Sequence, residues 1–266
     1  MVILKKIIKI FLILCLVCFS FFYTDKVMKL LNKKDPLMIT LNNIKEEYEI
    51  LPVNAIIEED TIIPGIKGLE VNIEKSYEEM KQGGVFREES LIYNNITPSS
   101  SLSNNKDKYI VKGSNKKEVS LIIILNIKDY DKIKNINNLT IYLNHKDINT
   151  NNIKNIKDKE IYTYGNNGEY TKEILDNDNT LINRLSNNKS SYCLVTEKNN
   201  IYLNICNSKD MMVIIPNIIG NYNEIKNNLS NGSIILLENT DNIKLIIKYI
   251  NSKGYNIVPL SKLLTE

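Results

Sequence analysis

Gly232-Ser233-Ile234-Ile235-Leu236-Leu237, then residues 241–253, then Gly254-Tyr255-Asn256-Ile257-Val258-Pro259-Leu260 read as strand, helix and strand. The first run is apolar at consecutive positions, so both faces of its strand are expected to be covered, as in a parallel sheet. In the middle piece Ile243, Ile246, Ile247 and Ile250 recur at helical spacing, with Asp241 as the expected cap and Gly254 as the stop. Toward the amino terminus the same alternation repeats, with apolar runs at 119–125, 139–143, 160–164, 192–195 and 211–215. Seven such strands separated by amphipathic helices predict an α/β architecture, either an open doubly wound sheet or a barrel. In both, function gathers at the carboxyl ends of the strands.

The 266 residues, 43% hydrophobic and 24% charged, suffice for one large core and a small accessory module. A net charge of +3 from 34 basic and 31 acidic residues gives no basic footprint, so nucleic acid is not an expected partner. Lys5, Lys6 and Lys9 precede an uncharged run over residues 10–22. Residues 7–23 are about long enough to span a bilayer, and the basic flank favours a cytoplasmic amino terminus with the remainder exported. Bulky Phe21, Phe22 and Tyr23 follow the only small-residue cleavage candidate, so an uncleaved anchor over residues 1–30 is expected, with the chain at the cell membrane as a single-pass protein.

Residues 37–117 read as a small α+β module. Ile62-Ile63-Pro64-Gly65 marks a strand end and turn, Asn72 caps a helix that Gly83-Gly84 ends, and a last strand is expected at 109–111. Residues 118–266 form the second domain. Cys15 and Cys18 lie in the apolar run, which leaves Cys193 and Cys206 in the exported part, either as a disulfide or as two small buried hydrophobes.

The closing strand–helix–strand segment resembles that of the NodB-homology polysaccharide deacetylases. Val119-Ser120-Leu121 resembles that family's first strand, Leu139-Thr140-Ile141-Tyr142-Leu143 its Ala-Thr-Phe-Phe-Val strand, and Lys159-Glu160-Ile161 the His-Glu-Ile that leads into its metal motif. The resemblance covers about residues 115–266 and implies a distorted (β/α) barrel of the polysaccharide deacetylase type, here with an amino-terminal membrane anchor and the small α+β module. In that family one Asp and two His hold a divalent metal, a second Asp is the base and a late His the acid. A metal lowers the pKa of bound water by several units, while positioned acids and bases move the protons.

In this chain the implied base and first metal ligand fall on Ile124 and Leu125, the two metal histidines on Tyr164 and Gly168, and the late acid on Glu238. The chain has one His, His145, so two His ligands are missing in any register. No cofactor and no metal are therefore expected. Losing a general base alone typically costs about 10² to 10⁴ in rate.

Tyr162, Tyr164, Asn166, Asn167, Glu169 and Tyr170 make a polar, aromatic loop after the third strand. Tyr rings stack on sugar faces and amides bond hydroxyls, so Tyr164, Asn166, Tyr170 and Glu238 are the candidate substrate-binding residues. His145 follows the second strand and is expected to be a surface or hydrogen-bonded structural histidine rather than a catalytic one. The implied partner is a cell-envelope glycan, peptidoglycan or chitin-like, or an envelope protein. Two further readings stand: a metal-independent hydrolase using Glu238 with Asp129 or Asp131, and a structural envelope protein whose first module mediates association.

Overall fold

A computed structural model of the chain describes residues 2–186 and 188–266, without the side chains of residues 2–8, 25 and 29. Lys5 and Lys6 of the expected basic flank thus lie outside the described side chains. From the amino terminus come α1 (Val2–Asn32), α2 (Pro36–Tyr48), β1 (Ile56–Glu58), β2 (Thr61–Ile63), β3 (Gly68–Val71), α3 (Ile73–Met80), β4 (Tyr93–Ile96) and β5 (Tyr109–Ile110). Next are β6 (Glu118–Ile124), α4 (Tyr130–Ile133), β7 (Leu139–Leu143), α5 (Thr150–Ile156), β8 (Glu160–Thr163), α6 (Lys172–Leu185) and β9 (Tyr192–Leu194). The chain closes with α7 (Asn200–Asn207), β10 (Met212–Ile214), β11 (Ile218–Gly220), α8 (Tyr222–Asn228), β12 (Ile234–Leu237), α9 (Ile243–Ser252), β13 (Asn256–Ile257) and α10 (Leu260–Leu263).

Two compact units result, Met1–Leu51 with Gly68–Ile96, and Pro52–Lys67 with Thr97–Glu266. In the first, α1 contains a segment, Lys9–Asn32, long and apolar enough to cross a membrane by length and composition. Asp35 caps α2 by accepting from the Leu37 N–H at 2.8 Å, and its other oxygen accepts from the Tyr77 hydroxyl at 3.0 Å. Asn72 caps α3 through the Lys75 N–H, as the sequence predicts, and Leu37, Met38 and Leu41 pack on Tyr77 and Met80. The antiparallel pair β3–β4 completes this unit.

The second unit holds two sheets. One runs β11-β12-β6-β7-β8, entirely parallel, with β13 also on β6; the other runs β1-β2-β5-β10-β9. The expected domain boundary near 117 is therefore displaced. Strands β2 and β5, assigned by sequence to the first module, pair with each other in parallel, and β5 pairs with β10.

Alternating side chains build the layers. Leu121 and Ile123 of β6, Ile141 of β7 and Ile235 of β12 face an outer cluster under the helices, while Ile122, Tyr142, Tyr162, Tyr192, Leu194, Ile214, Ile234 and Leu236 meet inside, between the two sheets. That arrangement is barrel-like, but the expected barrel is not closed. At the β8 edge the Asn188 side chain accepts from the Ile161 N–H at 3.0 Å and donates to the Ile161 carbonyl at 2.8 Å, taking the place of a neighbouring strand. Across the seam the Tyr162 and Tyr192 rings pack edge-on, 5.6 Å between centroids. Ring packing thus replaces a hydrogen-bond ladder there.

The amino ends of the parallel strands are plugged by α10, and Glu160 fixes the plug. Its carboxylate accepts from the Thr140 hydroxyl (2.6 Å), the Tyr162 hydroxyl (2.9 Å), the Leu260 N–H (2.7 Å) and the Ser261 N–H (3.0 Å). On the far sheet a Cys193–Cys206 disulfide joins β9 to α7, which decides between the two readings of these cysteines. The α9 stripe of Ile243, Ile246 and Ile250 is buried as predicted, but Asp241 is not its cap: the helix starts from Asn242 and no side chain bonds its first turn.

Candidate functional site

The carboxyl ends of β6, β7, β8 and β12 carry the residues singled out by sequence. Ile124 ends β6 facing inward and packs against the inner cluster, while Leu125 is buried in the outer one, so both positions are aliphatic in aliphatic surroundings. After β8 the chain turns tightly. The Tyr164 N–H donates to the Leu143 carbonyl at 2.7 Å and the Gly168 N–H to the Tyr164 carbonyl at 2.9 Å.

This turn brings positions 164 and 168 face to face. A Cβ built on Gly168 would lie 3.0 Å from the Tyr164 hydroxyl, so the phenol fills the space a side chain at 168 would need. Gly168 has φ +93°, which L side chains rarely adopt. Burial pushes the half-buried Tyr164 phenol up, so it is a neutral hydroxyl rather than an anionic ligand near neutral pH. A divalent ion of the kind implied by the deacetylase resemblance does not fit a leucine, a neutral phenol and a bare glycine. Among the described residues no three His, Cys, Asp or Glu side chains come together to hold an ion elsewhere.

The four candidate binding residues separate. Tyr164 and Asn166 share the β8 loop, where Asn166 is exposed and its N–H donates to the Glu169 carbonyl at 2.9 Å. Glu238 is exposed just past β12. Three strand spacings separate β12 from β8 across β6 and β7, roughly 14 Å along a flat ladder. Tyr170 is not a surface residue at all: it is 2% exposed, packs edge-on against Tyr202, donates to the Leu194 carbonyl at 2.9 Å and accepts the Leu194 N–H at 3.0 Å. It is a core tyrosine that supplies β9 with its hydrogen bonds. Asp129 and Asp131, the suggested partners of Glu238, pair with Lys132 and Lys134 on the surface of the α4 turn.

His145 is hydrogen-bonded, and its partner escaped the sequence reading. Its Nδ1 lies 2.7 Å from Asp178, a carboxylate on α6 that is 1% exposed and also accepts from the Thr163 hydroxyl at 2.5 Å. Burial raises the Asp178 carboxyl above its ordinary value of 3.8, against the lowering pull of Thr163 and His145. A raised carboxyl binds a proton more readily in the folded than in the unfolded chain. Asp178 therefore contributes stability that is complete below its unfolded pKa and is lost as pH rises through the folded one. Asp178→Asn is expected to remove this, so that wild type gains on the variant as pH is lowered from about 7 toward about 4. Urea unfolding across that range measures it; a wild type that falls behind over the same window contradicts the assignment.

What the fold and the carboxyl-end positions define is an α/β protein in which the places that the sequence resemblance implies for metal ligands and base hold aliphatic, phenolic or absent side chains. The particular proteins it resembles agree on the fold. Wild-type BA3943, a CE4 family pseudoenzyme from Bacillus anthracis, superposes with a TM-score of 0.62 at 20% identity, covering 88% of this chain and 96% of that one. A BA3943 mutant described as a CE4 family pseudoenzyme with restored enzymatic activity gives 0.63 at 20% identity over 86% and 98%. In sequence, the uncharacterized protein YlxY of Bacillus subtilis is 44% identical over 92 residues, which span 34% of this chain and 29% of that relative. No family model matches the chain.

Proposed function

We propose that this chain is a membrane-anchored, extracytoplasmic protein of deacetylase fold that binds a cell-envelope glycan or an envelope protein and does not deacetylate it. One observation carries the reading: the chain has a single histidine, engaged by Asp178, and Leu125, Tyr164 and Gly168 hold the positions where the resemblance implies metal ligands. Without a metal-activated water and a base, the family's reaction loses the groups that generate and deprotonate its nucleophile. Anchoring is supported by the apolar segment of α1, and export by the disulfide, since such bonds persist in oxidising compartments. The surface offered to a glycan is the carboxyl end, with the Tyr164 ring, the Asn166 amide and the Glu238 carboxylate.

The test is to incubate the full chain in detergent with peptidoglycan fragments and chitin oligomers, measuring binding and acetate in the same samples. Saturable binding with acetate at the level of the protein-free control is expected, unchanged by cobalt, zinc or a chelator. Acetate release that a chelator stops would overturn the inactive reading. Release that Glu238→Gln abolishes and a chelator does not touch would establish the metal-independent hydrolase instead.

A further inference from the structure

At the amino ends of the parallel strands, opposite the end just described, the second unit has a groove of about 880 Å³. Lys244, Lys248 and Lys262 line it together with the amides of Asn137, Asn251 and Asn256, and Glu118 is its one acidic lining residue. Lys244 and Lys248 stand one turn apart on α9, about 6 Å along the axis; Lys262 comes from α10.

The charge of these lysines is not taken up within the fold. Lys132, Lys134, Lys198 and Lys209 each hold a carboxylate within 3.1 Å, whereas Lys244, Lys248 and Lys262 have no ion-pair partner among the described residues. All three are exposed, as are the three asparagines, whose side chains make no hydrogen bond among the described residues. A lysine acts on phosphate as a point charge with three donors, and a primary amide both donates to and accepts from a hydroxyl. The volume lies in the range of ligand-binding clefts.

We propose that this groove binds a linear, hydroxyl-rich polyanion joined by phosphodiesters, with the lysines on successive phosphates and the asparagines on the hydroxyls between them. The site is separate from the carboxyl-end surface and stands whether or not that surface takes a glycan. The three unpaired lysines also explain how a chain of nearly balanced charge offers a local cationic face.

The probe is a fluorescent glycerol-phosphate oligomer titrated with the full chain in detergent at about 50 and about 200 mM salt, read by anisotropy. Lys244→Gln/Lys248→Gln/Lys262→Gln is expected to weaken binding about tenfold or more and to flatten the salt dependence, because fewer counterions are exchanged. Lys154→Gln/Lys157→Gln/Lys172→Gln, with the same change in net charge, is expected to shift it less than about twofold. Equal losses in the two variants would overturn the site, since net charge would then explain the binding. So would equal affinity for a single-stranded DNA oligonucleotide of matched charge, and so would no binding by the wild-type chain.

Discussion

Replacing Glu160 with alanine is expected to destabilise the second unit by about 3–5 kcal/mol, the cost of removing a charged acceptor from a network of buried or half-buried donors. Four donors converge on this one carboxylate, two hydroxyls from the inner faces of β7 and β8 and the first N–H groups of α10. In the variant the Leu260 N–H retains only the Thr140 hydroxyl, at 2.9 Å, and the Tyr162 hydroxyl, in a nearly fully buried side chain, has no other acceptor in the network. Because α10 brings Leu260, Leu263 and Leu264 into the inner cluster, loosening it also exposes apolar surface between the sheets. Glu160→Gln keeps an acceptor oxygen but turns an NH₂ toward other donors, so it is expected to recover only part of the loss. Urea unfolding followed by tyrosine fluorescence measures both; an alanine variant within about 0.5 kcal/mol of wild type would show that the carboxylate does not hold the plug.

Opening the Cys193–Cys206 bond is expected to cost about 3 kcal/mol. The two residues are 13 apart, and closing a loop of that size removes this much freedom from the unfolded chain. Both cysteines are fully buried among Tyr109, Leu175, Leu203 and Val213, so the double alanine variant loses the constraint together with some packing. For a unit of this size each kcal/mol corresponds to about 2–4 °C, which places the melting shift near 6–12 °C. The same bond reports topology. In chain unfolded directly out of cells with free thiols blocked, a second thiol reagent is expected to label residues 193 and 206 only after reduction; labelling without reduction would contradict an oxidised, exported unit.

Much of the α/β unit was legible because its strands are apolar on both faces. Leu139–Leu143 was delimited to the residue, and β6, β8, β9 and β10 to within one at either end. The make-up of the second sheet was not legible: β2 and β5 read as strands of a separate module, and their pairings, β2 with β5 and β5 with β10, join segments far apart along the chain, where periodicity carries no signal. Nor was the open seam, which depends on one asparagine amide occupying a ladder position in an asparagine-rich sequence.

At the candidate site, a census of histidines removes two of the ligands the resemblance implies, and positions 164 and 168 meet in the turn after β8. Its positive content was harder to read. Tyr170 shares the polar loop pattern of Tyr164 yet turns into the core, because the unpaired backbone of Leu194 needs a partner. Asp178 looks like an ordinary helix carboxylate; only the packing of α6 on Thr163 and His145 reveals that it is sealed from water.

The turn at Gly168 also limits what a substitution could build at this rim. A histidine introduced there would occupy a conformation costing about 1–3 kcal/mol, with its Cβ pressed to 3.0 Å from the phenol opposite. One introduced at 164 alone would have no companion. Neither substitution alone therefore builds an ion-binding centre, and the glycine keeps this rim closed to one.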